Sequence, residues 1–485
     1  MKIWLRRAGT GIVLLGLAWL AWRTHRPGHY WGDDFALYLR QASSLFGDLS
    51  VREVIADNQY MLDHSYKSNF SPPIYPWGWP LILAIPIRIV GLNIDQLFFV
   101  SIALYVLALA FWYWFALQRV GRLTALVGLL AIGTSPIYID WTEQLHTELP
   151  FMLFAFATLI VIDRNRGRWL ASWRPGVAAG VLAAAAFSTR REGLALVGAI
   201  GLALVADRVY ADRDRRWLAL APFAVFGLAV LLLQLVLPST LLPHYPENTI
   251  GNLFRYANVI AQRIGEIVGF DSSVAGWLFV SLGFFGWALA LRSDWRKHLP
   301  IVGYLLAVMV VGGMFFVPSG RYFSTAVPLL LLGALMIPTF GPTRRDTSLS
   351  RLATVAVILA LTPVVWLNGV NAVQEAERAD QFNGVVKEGP NRADAVEMFA
   401  AVRVHTAEAD VIGFFKARSM MLYTDRRAVQ VAEADPLNPG SQFDVLVVRR
   451  TEVDEQDRLA IDRDFEVGWS NETFELLIRK EPADA

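Results

Sequence analysis

The 485-residue sequence contains no cysteine, so its fold uses no disulfide, no thiolate metal ligand and no cysteine nucleophile. Charge is scarce as well: Asp, Glu, Lys and Arg make up 18% of the residues, and the two signs nearly cancel to a net +1. Such a balance gives no global field to recruit nucleic acid or an acidic partner, so what matters is where the charges lie along the chain. Neither a Walker loop nor a Gly-x-Gly-x-x-Gly run stands at a strand-to-helix turn, which argues against a nucleotide as fuel. Short-period repeats and low-complexity tracts are missing too.

What the chain has instead is apolar surface. It is 55% hydrophobic and 12% aromatic, with a mean hydropathy of +0.40, too apolar for an average soluble enzyme and typical of a polytopic membrane protein. Residues 1–22 pair a basic start with an apolar run, as a secretory signal does. Trp19 and Trp22 crowd its end, however, and no small-x-small site follows, so we expect an uncleaved first helix. Further apolar runs fall at 97–117, 123–139, 147–162, 175–189, 192–206, 217–237, 275–291, 299–317, 322–340 and 351–370. Basic loops at 118–122, 163–174, 207–217, 292–298 and 343–351 alternate with the others. The positive-inside rule then puts the N-terminus inside and residues 140–146, 190–191, 238–274 and 318–321 outside.

The apolar segment 76–91 breaks this parity if it crosses, and it carries Pro80, Pro86 and Arg88. We read it as a helix lying in the outer interface. The expected fold is therefore all-α and polytopic, with about eleven crossings over residues 1–370 and a first outer loop at 23–96. Residues 371–485 are charge-rich, with strand-like runs at 409–415, 444–448 and 474–480 and a helical pattern at 391–406. They predict a small α/β domain outside the membrane.

The informative polar groups face outward on this topology. Asp33 and Asp34 open the long loop; Asp140, Glu143, His146 and Glu148 crowd one turn; Arg190, Arg191 and Glu192 interrupt a second apolar stretch, and Arg321 and Tyr322 a third. Singly, each reads as a helix end, a snorkelling arginine or an ordinary salt bridge. Together, arginines inside apolar sequence on the outer face call for an anion there, such as a lipid phosphate held by bidentate hydrogen bonds. A neighbouring carboxylate can accept a proton from an acceptor that attacks the sugar carbon of a lipid-phosphate sugar, while arginines stabilise the departing phosphate.

The stretches "WGDDFALYLRQA", "SPPIYPWGWPLILAIPIRIVG", "SPIYIDWTEQLHTELPFMLFAFATL", "AAFSTRREGLAL" and "SGRYFSTAVPLLL", in this order, resemble the membrane-embedded C-class glycosyltransferases. The similarity is to bacterial relatives of the protein O-mannosyltransferases and of the aminoarabinose transferase that modifies lipid A, and it spans residues 1 to about 340. It implies a seven-helix module, two juxtamembrane helices in the first outer loop with 76–91 as the second, and an acidic catalytic base in that loop. The base carries over to Asp33 with Asp34 beside it. His146 and Glu148 are implied near the active cavity, with Asp140, Glu143, Glu192 and Tyr322 around it, and Arg190, Arg191 and Arg321 toward the donor phosphate. Ser71 stands where many relatives have a histidine before the double proline.

The resemblance further implies a polyprenyl-phosphate sugar donor, a lipid, glycan or protein acceptor in the cell envelope (lipopolysaccharide among them), and residence in the bacterial cytoplasmic membrane. No nucleic acid partner is expected. Two questions stay open at this point. A transporter or flippase of lipid-linked sugars is the rival function, although broken helices in inverted repeats are not evident. No cofactor is certain, and Asp33, Asp34, His146 and Glu148 are also the residue types of a divalent-metal site. Within the acidic pair, an Asp before "FALYLRQA" suits a helix cap. Our expectation is that Asp34 caps and Asp33 is left free as the base.

Overall fold

The computed structural model describes residues 2–47, 49–66, 72–208, 215–241, 247–340, 347–381, 387–432, 436–437, 442–453 and 455–480. Ser71, residues 209–214 of the 207–217 basic loop and residues 343–346 of the 343–351 loop lie outside these. The chain is mostly helical up to residue 381 and ends in a small mixed sheet.

Among the described residues, four helical stretches are long and apolar enough to cross a bilayer: Ile94–Leu117, Arg216–Val236, Ser273–Ser293 and Thr354–Gln374. A fifth is formed if the pair Arg122–Gly133 and Pro136–Glu143, bent by 60°, counts as one span. The count of eleven is therefore not met by length and composition. Several runs that are continuous in hydropathy are interrupted as helices. The 123–139 run breaks before Pro136, whose ring cannot continue the ladder. The 192–206 run starts with a 3-10 turn, Arg191–Gly193, and the 322–340 run with another, Gly320–Phe323. The helices that follow, Leu194–Ala206 and Ala326–Phe340, have 13 and 15 residues. At 1.5 Å per residue they reach only about 20 Å of a hydrocarbon layer of roughly 30 Å.

Among its described residues, the segment 23–96 expected as the first outer loop contains three helices rather than the implied two. Asp34–Ser43 is buried from Phe35 to Ala42. Val51–Asp63 starts with a capping box, Ser50 and Glu53 exchanging side-chain-to-backbone hydrogen bonds of 2.7 and 3.3 Å. Gly78–Val90 is the segment expected in the interface. It buries Trp79, Leu83, Ala84 and Ile87 and exposes Leu81, Ile85 and Ile89, spaced by four, as an apolar stripe on its other side. Gly78 sits where a Cβ would be 2.5 Å from the Ser188 carbonyl, so this helix starts hard against the end of helix Arg174–Thr189.

The tail domain carries strands β1 (Ile412–Phe414), β2 (Ala428–Gln430), β3 (Val445–Arg449), β4 (Phe465–Ser470) and β5 (Phe474–Arg479) in the order β2-β1-β3-β5-β4. β1 is parallel to β2 and β3, and the β4–β5 hairpin closes the sheet antiparallel to β3. Helix Ala417–Thr424 makes the β1–β2 crossover. Strands β1, β3 and β5 and helix Ala393–His405 fall on the runs read from sequence; β2 and β4 carry no comparable signal. This domain is not a free appendage. Met61 and Leu62 of the first outer loop belong to its core, and Trp31 packs edge-on against Phe414, Phe415 and Phe474.

A reporter active only outside the cytoplasm tests the topology. Fusion after residue 381 or at residue 92 is expected to give activity, and fusion within 207–216 to be silent. Silence at residue 92 would make Gly78–Val90 a crossing and reverse every later loop.

Candidate active site

Breaks in the helices bring distant charges together. Glu148 opens helix Glu148–Arg164 and is fully buried. Its Oε1 accepts from Arg190 Nη1 at 2.8 Å and from Arg321 Nε. Arg190 follows helix Arg174–Thr189 in extended backbone, φ −146° and ψ 137°, and its other edge donates to Glu192 Oε1 at 2.7 and 3.2 Å. Arg321, in the Gly320–Phe323 turn, continues to Asp34 Oδ2 at 3.3 Å, and Asp34 Oδ1 accepts from the Tyr75 hydroxyl at 2.6 Å. Residues from five segments thus form one chain: Glu192, Arg190, Glu148, Arg321, Asp34, Tyr75. Tyr322 lies beneath it, stacked at 4.0 Å on Phe315 and facing Arg190.

The two adjacent aspartates are separated by their partners. Neither caps helix Asp34–Ser43: Asp33 occupies the cap position in helical backbone without a side-chain cap bond, and Asp34 is already the first helical residue. This corrects the expectation that Asp34 caps. Burial alone would raise the Asp34 carboxyl, but Arg321, His146 and the Tyr75 hydroxyl outweigh it and hold Asp34 down at about 2. Asp33 turns toward the tail domain, where Lys416 Nζ lies 3.8 Å from Oδ2, and its Oδ1 is buried without a hydrogen-bond partner among the described residues. There burial wins over Lys416 and Arg418, and the Asp33 carboxyl is raised.

His146 adjoins the same charges. Burial, then Arg321, lowers it to about 4, so the ring is neutral at physiological pH. Behind it His29 packs edge-on at 5.9 Å. His29 Nε2 accepts from the Leu145 N–H at 3.3 Å, which puts its proton on Nδ1, 2.8 Å from the Tyr30 carbonyl. Burial, seconded by His146, keeps His29 well below the usual histidine range.

Of the residues expected at the site, Asp34, Glu148, Arg190, Glu192 and Arg321 are joined directly, with His146 and Tyr322 against them. Arg191 turns away and donates to the Thr240 carbonyl at 3.1 Å from Nε. Asp140 and Glu143 lie on the far side of the 136–147 turn. Glu143 pairs with the buried Lys387 at 3.1 Å, and both carboxylates line a separate cavity of about 410 Å³ with Arg26, Asn371 and Gln374. Tyr75, His29, Lys387, Lys416 and Arg418 were not singled out from sequence. The last three sit in a polar tail where a charge is unremarkable, and only the fold brings them to the loop.

The residue types proposed for a metal do not fit one here. The Arg321 guanidinium stands between Asp34 and Glu148, and among the described residues no group of three or more His, Asp or Glu side chains is arranged to hold an ion.

Because Glu148 serves two guanidinium groups inside the fold, Glu148→Gln is expected to destabilise the detergent-solubilised protein by about 3 kcal/mol, the low end for breaking a buried pair. Asp140→Asn, outside the chain of charges, should change little. An unaltered unfolding midpoint for Glu148→Gln would mean that the arginines do not depend on it.

Comparison with known proteins gives a concordant picture. Residues 71–240 match the family model described as dolichyl-phosphate-mannose-protein mannosyltransferase. No curated protein matches the chain. Among solved structures, ArnT from Cupriavidus metallidurans bound to undecaprenyl phosphate superposes with a TM-score of 0.58 at 14% identity, over 97% of this chain and 98% of that one. Its apo state gives 0.57 over the same shares. The archaeal oligosaccharyltransferase AglB from Archaeoglobus fulgidus, in complex with an inhibitory peptide and a dolichol-phosphate, gives 0.52 at 11% identity, over 92% of this chain and 70% of that one. The chain therefore has the fold seen in the ArnT and AglB structures and, over residues 71–240, is similar in sequence to the family described as dolichyl-phosphate-mannose-protein mannosyltransferase.

Proposed function

We propose that this protein transfers a sugar from a polyprenyl-phosphate donor to an acceptor at the outer face of a bacterial cytoplasmic membrane, with the N-terminus cytoplasmic and the tail domain outside. The observation that carries the reading is the pairing of two differently held aspartates with a carboxylate-anchored arginine in one cluster. It is supported by the lipid phosphates bound in the ArnT and AglB structures.

Asp33 is the base. A carboxyl held near 2, as in Asp34, has too little proton affinity to take a proton at neutral pH, whereas Asp33 has a raised affinity and an unpaired oxygen. As the acceptor oxygen or nitrogen attacks the anomeric carbon, its proton passes to Asp33. The bond from that carbon to the phosphate oxygen breaks, and the electron pair stays on the phosphate. Of the three arginines, Arg321 is the one a phosphate reaches: its side chain is 30% exposed against 9% for Arg190, and Arg191 is engaged by a carbonyl. Asp34 and Glu148 fix the guanidinium, so that its direction is set before donor arrives. The acceptor class and the sugar, hexose or pentose, are not determined by these groups.

Purified protein given radiolabelled polyprenyl-phosphate sugar and a membrane-glycolipid extract should transfer label, with Asp33→Asn reduced by at least about 100-fold at retained thermal stability. Arg321→Lys, which keeps the charge and loses the fork, should weaken transfer while the protein still inserts. Movement of donor across vesicles without cleavage would favour a flippase instead. Full transfer by Asp33→Asn would reject Asp33 as the base.

A further inference from the structure

The base sits on the tail domain rather than on the membrane domain. Lys416 and Arg418 flank the start of helix Ala417–Thr424, with Lys416 as its N-terminal cap. The Lys416 ammonium is 3.8 Å from Asp33 Oδ2, and the Arg418 backbone N–H, in the first turn of that helix, donates to the Asp33 carboxylate. Asp33 is therefore docked at a helix N-terminus, where free N–H groups and the helix dipole favour an anion. The next residue ties down the loop on the other side of the carboxylate: Ser419 Oγ donates to the Gly32 carbonyl at 3.0 Å.

The Arg418 side chain fastens the whole arrangement. It is fully buried, donates from Nε to Asn58 Oδ1 at 3.1 Å and from Nη2 to the Pro72 carbonyl at 2.6 Å, and lies over the Tyr75 ring at 5.5 Å. Tyr75 in turn holds Asp34. A second strand of contacts runs alongside. Lys387 N–H donates to the Pro27 carbonyl at 3.0 Å, His29 N–H to Asn391 Oδ1 at 3.1 Å and Trp31 N–H to the Glu388 carbonyl at 3.3 Å. Gly389 crosses so close to the His29 carbonyl that no side chain fits. Residues 27–33 are thus clamped by the tail along their length.

Charge gives a second, independent reason. Without the tail, Asp34, Glu148 and Glu192, with Asp33 beside Asp34, stand against the two cations Arg190 and Arg321, so carboxylates outnumber arginines around the cleft. Lys416 and Arg418 bring the cations level with the carboxylates.

We infer that Lys416 and Arg418 of the tail domain are positioning residues for the transfer reaction: Lys416, with the N-terminus of helix Ala417–Thr424, sets the protonation of Asp33, and Arg418 fixes the loop that presents it. This rests on the reading of Asp33 as the base. The groups facing Asp33 are Lys416, Arg418 and Asp34. Lys416 favours the ionised carboxylate, so without it Asp33 takes up its proton at a higher pH, and activity falls away earlier on the acidic side.

The experiment measures sugar transfer against pH for the full-length parent, Lys416→Met, Lys416→Arg and Arg418→Met, together with undecaprenyl-phosphate binding at neutral pH. Lys416 is surface-accessible and its replacement leaves the core intact, so it is the decisive variant even if Arg418→Met fails to fold. Expected for Lys416→Met is an acidic limb moved up by about one pH unit, the low end for loss of an opposite charge at this range. Lys416→Arg should restore the parental limb, and Arg418→Met should lower kcat at least tenfold at near-parental KM. An unmoved limb in Lys416→Met, with Asp33→Asn inactive, overturns this inference and leaves the base assignment standing. An active Asp33→Asn overturns the base assignment and the inference with it.

Discussion

The arrangement depends on one buried carboxylate serving two guanidinium groups. Glu148 is inaccessible to solvent, and an isolated charge there would cost several kcal/mol of lost hydration. Arg190 and Arg321 offset that cost at Oε1, and each is delivered by a break in a helix: the extended residue after Thr189 and the 3-10 turn at Gly320–Phe323. The short helices follow from this. Leu194–Ala206 and Ala326–Phe340 are short because the residues that would extend them outward make the turns that carry the arginines. Interrupted helices near the membrane surface are tolerated where the freed polar groups are satisfied inside protein, and here charged side chains do that.

Around this anchor the first outer loop and the tail domain fold as one body. Helix Val51–Asp63 buries Met61 and Leu62 in the core of the tail sheet, Arg40 bridges to Asp57 at 3.0 Å, and Gln41 and Tyr75 exchange side-chain-to-backbone hydrogen bonds of 3.0 and 3.2 Å. Lys387 adds a buried ion pair with Glu143 and lies over the Phe98 ring at 4.9 Å, joining the start of the tail to the 136–147 turn and to a membrane helix. Swinging the tail away would expose apolar surface and strip Asp33 of its cation and its helix terminus together.

How much of this was legible in the sequence depended on the range of the interaction. Hydropathy is a local sum, and it gave the membrane class and the polar tail. Strands β1, β3 and β5 showed as apolar runs; β2, set between Arg427 and a charged stretch, and β4, with its mixed exposure, did not. The arginines stood out because charge is unexpected inside apolar sequence. Their partners did not, since Tyr75 and Arg321 reach Asp34 across 41 and 287 residues, and Arg418 reaches Asn58 across 360. Arg191 shows the limit: adjacent to Arg190 and alike in sequence, it lies one residue further along the turn and faces a backbone carbonyl instead.

That same geometry explains why two neighbouring aspartates differ. Asp33 and Asp34 stand at the start of a helix, where successive side chains diverge by about a quarter turn or more. One turn of the chain thus directs Asp34 into the membrane-domain cluster and Asp33 onto the tail helix. In the cluster the nearest groups are a guanidinium and a hydroxyl donor, both of which favour the carboxylate anion. Toward the tail there is one ammonium at 3.8 Å, a single backbone donor and an oxygen left unpaired, and burial raises the carboxyl. A carboxylate that holds an arginine and the proton acceptor proposed at Asp33 need opposite environments. The boundary between the two domains supplies both within one peptide unit.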